Sequence, residues 1–105
     1  MFDASALEES KLRSEVSRSE FARDLLDNPL IQEFFAKNES EIWEAIKTSP
    51  VRNVEDREKL LLLHRSMEKF KSFLIQTLET GKLASMQLES KRNALQRARD
   101  AIWPD

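Results

Sequence analysis

Over residues 53–102, apolar side chains return every seven residues. Counted from Leu60, the row is Leu60, Met67, Leu74, Gly81, Leu88, Leu95 and Ile102, and only Gly81 breaks it. The positions three residues on are Leu63, Phe70, Thr77, Ala84, Lys91 and Ala98, a second row that is apolar early and mixed late. A repeat sustained over this length predicts one long helix that packs along a partner. Gly81 could cap a helix, after which the chain would fold back. The seven-residue phase is the same on both sides of it, however, and a loop usually resets the phase. A helix running through Gly81 is therefore expected, at a cost of about 1 kcal/mol for an interior Gly.

A second helical pattern precedes it. Leu30, Ile31, Phe34, Phe35, Ile42, Ala45 and Ile46 recur at spacings of three and four, with Trp43 near the edge of that face. Asn28 before Pro29 is steered away from helical angles, and Pro29 suits a first helical position with Asn28 as its cap. Thr48-Ser49-Pro50 ends the segment. The predicted helix covers residues 29–47. Before it, Ser19 is the expected cap of a short helix over 20–27 carrying Phe21, Ala22, Leu25 and Leu26. Asn53 is the expected cap of the long helix over 53–102, with Glu55, Asp56 and Glu58 where acids complement the helix dipole. Residues 1–19 form a polar, serine-rich arm with a thin stripe of Leu7, Leu12 and Val16. Isolated helices of that length are marginal in water, so the arm is either disordered or a helix that forms against another element.

These elements give an all-α fold: a helical hairpin whose long C-terminal heptad-repeat helix extends into an oligomerising coil. Residues 1–19 are the arm and 20–105 the helical domain. Leu60 to Leu63, Met67, Phe70, Phe73, Leu74, Ile75 and Leu78 cover more than one stripe. That half must be covered on two sides, by the 29–47 helix and by segment 21–26 or a second subunit. The expected hairpin core is Leu60, Leu63, Met67, Phe70 and Leu74 against Phe34, Phe35, Ile42 and Ile46. A helix over 54–102 is about 70 Å long and one over 29–47 about 30 Å, so the shorter cannot reach the second half. Leu88, Leu95, Ile102 and Trp103 would be bare in a monomer unless the arm covers them. They are the expected subunit or partner contact.

Composition agrees with helices. One Gly, three Pro and 34 % charged residues suit them better than sheets. With no Cys, disulfide and thiolate chemistry are excluded. No apolar run approaches the ~18–20 residues of a membrane span, and the start carries no secretory pattern. A soluble protein without a membrane partner is expected.

The net charge of −2 rules out a chain that is basic overall, yet the charge is uneven. Asp3, Glu8, Glu9, Glu15, Glu20, Asp24 and Asp27 outnumber the four bases of residues 1–28. Lys82, Lys91, Arg92, Arg97 and Arg99 outnumber the three acids of residues 82–105. Lys91, Arg92, Arg97 and Arg99 are the candidate nucleic-acid contacts, although cations also suit the end of any helix.

Other chemistry is thin. His64 is the single His and has no acid, nucleophile or ligand at a matching spacing, so a boundary position is expected. Glu39, Glu41 and Glu44 lack the Glu-x-x-His partners of a bundle metal site. Glu79-Thr80-Gly81-Lys82 lacks the Gly-rich start and the strand of a phosphate loop. No catalytic residue, metal or cofactor is expected, and an enzyme is the most remote class.

Phe21-Ala-Arg-Asp-Leu-Leu-Asp-Asn-Pro-Leu30, Ile42-Trp-Glu-Ala-Ile-Lys-Thr-Ser-Pro50, Asp56-Arg-Glu-Lys-Leu60 and Glu79-Thr-Gly-Lys-Leu83 are further markers. In these, the chain resembles small helical proteins encoded among the structural and DNA-packaging genes of tailed bacteriophages. The resemblance covers about residues 20–88 and rests on helix-boundary and core positions. It implies a virion component, an assembly factor or a packaging accessory, located in the host cytoplasm or the virion. The favoured expectation is a non-enzymatic structural or assembly protein that acts by helix-mediated self-association as a homo-oligomer, alone or with other phage structural proteins. One alternative is a small DNA-packaging subunit that binds DNA through the basic end of its last helix. Another is a phage inhibitor of a host protein, presenting the acids of residues 3–27.

Overall fold

A computed structural model describes residues 4–50 and 52–102. It holds three helices: α1 (Ala4–Asp27), α2 (Pro29–Thr48) and α3 (Val54–Ile102). There is no strand among the described residues, so the all-α expectation with a long last helix is met. The helices form two compact units. One joins α2 to the end of α1 and to α3 up to Ile75. The other joins α1 up to Ala22 with α3 from Gln76.

The boundary between α1 and α2 follows from local chemistry. Asn28 is extended, at φ −70° and ψ 119°, as a residue before proline should be. Its Oδ1 accepts the N–H groups of Leu30 at 2.9 Å and Ile31 at 3.4 Å. Pro29 opens α2, where a missing N–H costs nothing. The Gln32 side chain reaches back and donates to the Leu26 carbonyl at 2.9 Å, satisfying an acceptor at the end of α1. At the far end of α2, the hydroxyls of Thr48 and Ser49 donate to Glu44 and Ile46. The Asn53 carbonyl then accepts the Arg57 N–H at 3.2 Å and starts α3. Observed ends of α2 and α3 lie within one residue of the expected 29–47 and 53–102, the usual fraying margin.

The first helix differs from its expected span of 20–27. It begins at Ala4, and the serine-rich stretch is helical. Ser19 does not cap it. Its hydroxyl donates to the Val16 carbonyl at 2.6 Å, inside the helix, and the residue is buried. A serine that satisfies itself on the preceding turn can stay in a helix interior.

In the α2–α3 unit the core centres on Ile42 and Leu74, with Phe35, Ala45, Ile46, Leu60 and Met67 half-buried. The Phe35 ring lies 6.0 Å from that of Phe70, and Trp43 lies 5.3 Å from His64. Advancing on α2 thus means retreating on α3, and the pair is antiparallel. Phe34, Leu63 and Phe70 do not join this core: each is about half exposed or more. The second covered row is Arg57 and His64, one helical turn from the heptad row on its other side.

In the α1–α3 unit, Leu12, Ser19 and Ala22 of α1 and Gly81 and Ala84 of α3 are buried, and Ala84 is only 1 % exposed. Gly81 continues α3 without a left-handed backbone. A Cβ placed on it would overlap the Ser19 side chain and come within 2.9 Å of the Glu15 carbonyl oxygen. The residue that breaks the apolar row is therefore the one that lets two backbones approach. Glu8 pairs with Lys91 at 3.4 Å while Ser19 meets Gly81, so α1 and α3 also run antiparallel here.

Candidate interaction surface

The residues expected to carry function cluster on the last turns of α3. Leu88 is half-buried beside α1. With Glu9, Arg13, Ser85, Glu89, Arg92 and Leu95 it lines a groove of about 610 Å³. Leu95 is 67 % exposed and Ile102 69 %. Trp103 lies outside the described residues. Within α3 these positions follow the heptad spacing, so Leu88, Leu95 and Ile102 share one row.

The basic residues divide around that row. At 100° per residue, Arg92 and Arg99 lie about 40–60° to one side of it and Lys91 lies as far to the other, while Arg97 projects on the opposite face. Arg97 lines a shallow depression with Asn93, Gln96 and Asp100. The four cations therefore do not make one surface. Lys91 is half-buried and already paired with Glu8. Of the acids that interrupt the basic stretch in sequence, Asp100 sits about 140–160° from the row, whereas Glu89 lines the groove beside Leu88, Arg92 and Leu95.

A second exposed apolar surface belongs to the α2–α3 unit. Phe34 touches Phe35 edge-on at 5.9 Å, Phe35 touches Phe70 at 6.0 Å, and Leu62, Leu63 and Phe73 on α3 are exposed as well. Leu63, Ser66, Phe70 and Phe73 follow the three- and four-residue spacing of a packing seam. Phe70 keeps half of its surface open and Leu62 more. Sequence reasoning had placed Leu63 and Phe70 in the core. The apolar period alone could not say which of two adjacent stripes α2 would cover.

His64 stands half-buried against the Trp43 ring, with its ring in packing contact. Among the described residues there is no group of three or more His, Cys, Asp or Glu placed to hold a metal ion, and no helix is long and apolar enough to cross a membrane. The contact that sequence reasoning missed is Ser19 on Gly81. Its signal is the seven-residue spacing of Leu12 and Ser19, a row that continues the α1 stripe with a small residue.

Comparison with known proteins finds no matching family model, no similar curated protein and no similar solved structure.

Proposed function

We propose that this chain is a non-enzymatic assembly or structural protein that works by helix-mediated self-association, in the setting of a tailed bacteriophage. The observation that carries the self-association is the imbalance between buried and exposed apolar side chains. Among the described residues, the buried apolar set is Leu12, Ala22, Ile42, Leu74 and Ala84, whereas Phe21, Leu30, Phe34, Leu62, Phe70 and Phe73 are among many large side chains left exposed. Exposed large apolar side chains in this number mark an interface or a liability to aggregate. The phage setting rests on the resemblance over residues 20–88.

The α2–α3 unit supplies the self-association face. It carries the aromatic chain Phe34, Phe35 and Phe70 together with Leu62 and Leu63. Along this stretch of α3 the charge is mixed, with Arg57 and Lys59 among Glu55, Asp56 and Glu58, and Glu68 among Arg65, Lys69 and Lys71. The division of Lys91, Arg92, Arg97 and Arg99 over several faces speaks against a packaging subunit that grips DNA with this segment.

The test is a combined Leu63→Ser, Phe70→Ser variant. These side chains are half exposed, so the helical circular dichroism should persist while the solution mass by light scattering falls toward that of the monomer. An unchanged multimer would remove this face from the proposal. A monomeric wild-type chain would remove self-association altogether.

A further inference from the structure

The stripe that α1 covers and the stripe that α2 covers do not follow one helical line. On α1 the covered side chains include Leu12, Ser19 and Leu26, each seven residues from the next, and Leu26 on the last turn is half-buried. On α2 they include Ile31, Phe35, Ile42 and Ala45. At 100° per residue, a helix running unbroken from Leu26 would carry Ile31, Phe35, Ile42 and Ala45 about 100–180° away from the Leu26 side. Lys37, Glu41 and Glu44 would come within about 60° of it instead. All three are exposed in the fold. An unbroken helix would therefore exchange an apolar stripe for charged groups, and covering charge without a partner is costly.

Asn28 and Pro29 oppose that helix. The extended backbone of Asn28, at ψ 119°, lies far from helical values, and the proline ring disfavours a helical residue before it. Asn28 then caps the new helix, while the Gln32 side chain donates to the Leu26 carbonyl across the break. We infer that Asn28–Pro29 is a phase-resetting break, a conformational device that lets α2 turn its apolar stripe onto α3 independently of the phase that α1 carries. The reset also leaves Leu30 and Phe34 exposed, so the same break presents Phe34 in the aromatic face. Only this consequence rests on the proposed self-association.

The experiment compares two full-length variants that both lack the cap and the proline. Asn28→Ala with Pro29→Ala permits one continuous helix in the wrong phase. Deletion of Asn28 with Pro29→Ala also permits a continuous helix, but turns every later side chain of α2 back by about 100°. Ile31, Phe35, Ile42 and Ala45 then lie within about 80° of Leu26. Deletion should therefore restore what substitution loses. In chemical denaturation, the unfolding equilibrium constant of the substituted chain should exceed that of the deletion variant about tenfold or more. Hydrogen exchange should open the amides of α1 or α2 in the substituted chain and leave both protected in the deletion variant. Equal losses, a larger loss on deletion, or a substituted chain as stable as the unmodified one would overturn the proposal. Should the substituted chain fail to fold, a folded deletion variant supports the proposal and an unfolded one overturns it. Solution mass, read on the same samples, reports self-association separately.

Discussion

The two units solve helix packing in opposite ways. The α1–α3 unit uses small side chains: Ser19 and Ala22 on one helix, Gly81 and Ala84 on the other, with all four buried. The α2–α3 unit uses large ones, and Phe34, Leu62, Leu63, Phe70 and Phe73 stay exposed around a core of Ile42 and Leu74. Small residues let backbones approach, while Phe21, Leu83, Met86, Leu95 and Ile102 of the same unit stay exposed. Large residues bury more apolar area but here outnumber what two helices can cover. The first unit closes through small residues at a close backbone approach, and the second leaves an aromatic face exposed around a small core.

The largest effect should come from the sparse core of the second unit. Leu74→Ala removes one of the few buried apolar side chains, and about 2–5 kcal/mol of stability should be lost, measured by chemical denaturation. A loss below about 1 kcal/mol would mean that Leu74 does not anchor the unit.

Next is the close approach in the first unit. Gly81→Leu gains helix propensity but has no room beside Ser19 and the Glu15 carbonyl. A net loss of about 2 kcal/mol is expected, with lower helicity as α1 detaches. Gly81→Ala with Ser19→Gly should recover more stability than Gly81→Ala alone, because the second change removes the overlapping atoms. Additive behaviour of that pair would contradict the contact.

Cap chemistry gives a smaller term. Asn28→Ala removes the acceptor for Leu30 and Ile31 and should cost about 1 kcal/mol. The mildest change is Lys91→Ala, which removes an ion pair to Glu8 at the surface. Its effect on stability should be under about 1 kcal/mol and should shrink in high salt. A large, salt-independent loss would show that Lys91 anchors α1.

Much of this architecture is legible from local rules. Asn28-Pro29, Thr48-Ser49 and the acids after Asn53 mark helix ends because their chemistry is local. The unbroken phase around Gly81 indicates one helix for the same reason. What is not legible depends on tertiary contact. The serine-rich arm has too thin a stripe to predict a helix, since Ser19 and Ala22 contribute to packing by being small and not by being apolar. The choice between Leu63 with Phe70 and Arg57 with His64 as the second covered row depends on where α2 sits around α3. A chain with two apolar stripes does not encode that choice in its period. The heptad row of Leu88, Leu95 and Ile102 was legible, whereas the half-burial of Leu88 beside α1 was not. The separation of Arg97 from Arg92 and Arg99 needed only the helical repeat.

Solution mass of the unmodified chain, by light scattering on a sizing column at low and high salt, tests the central claim most directly. Self-association through an apolar face predicts a stable multimer in both conditions, with its charge-dependent part weakened in high salt. A monomer at every concentration would contradict it.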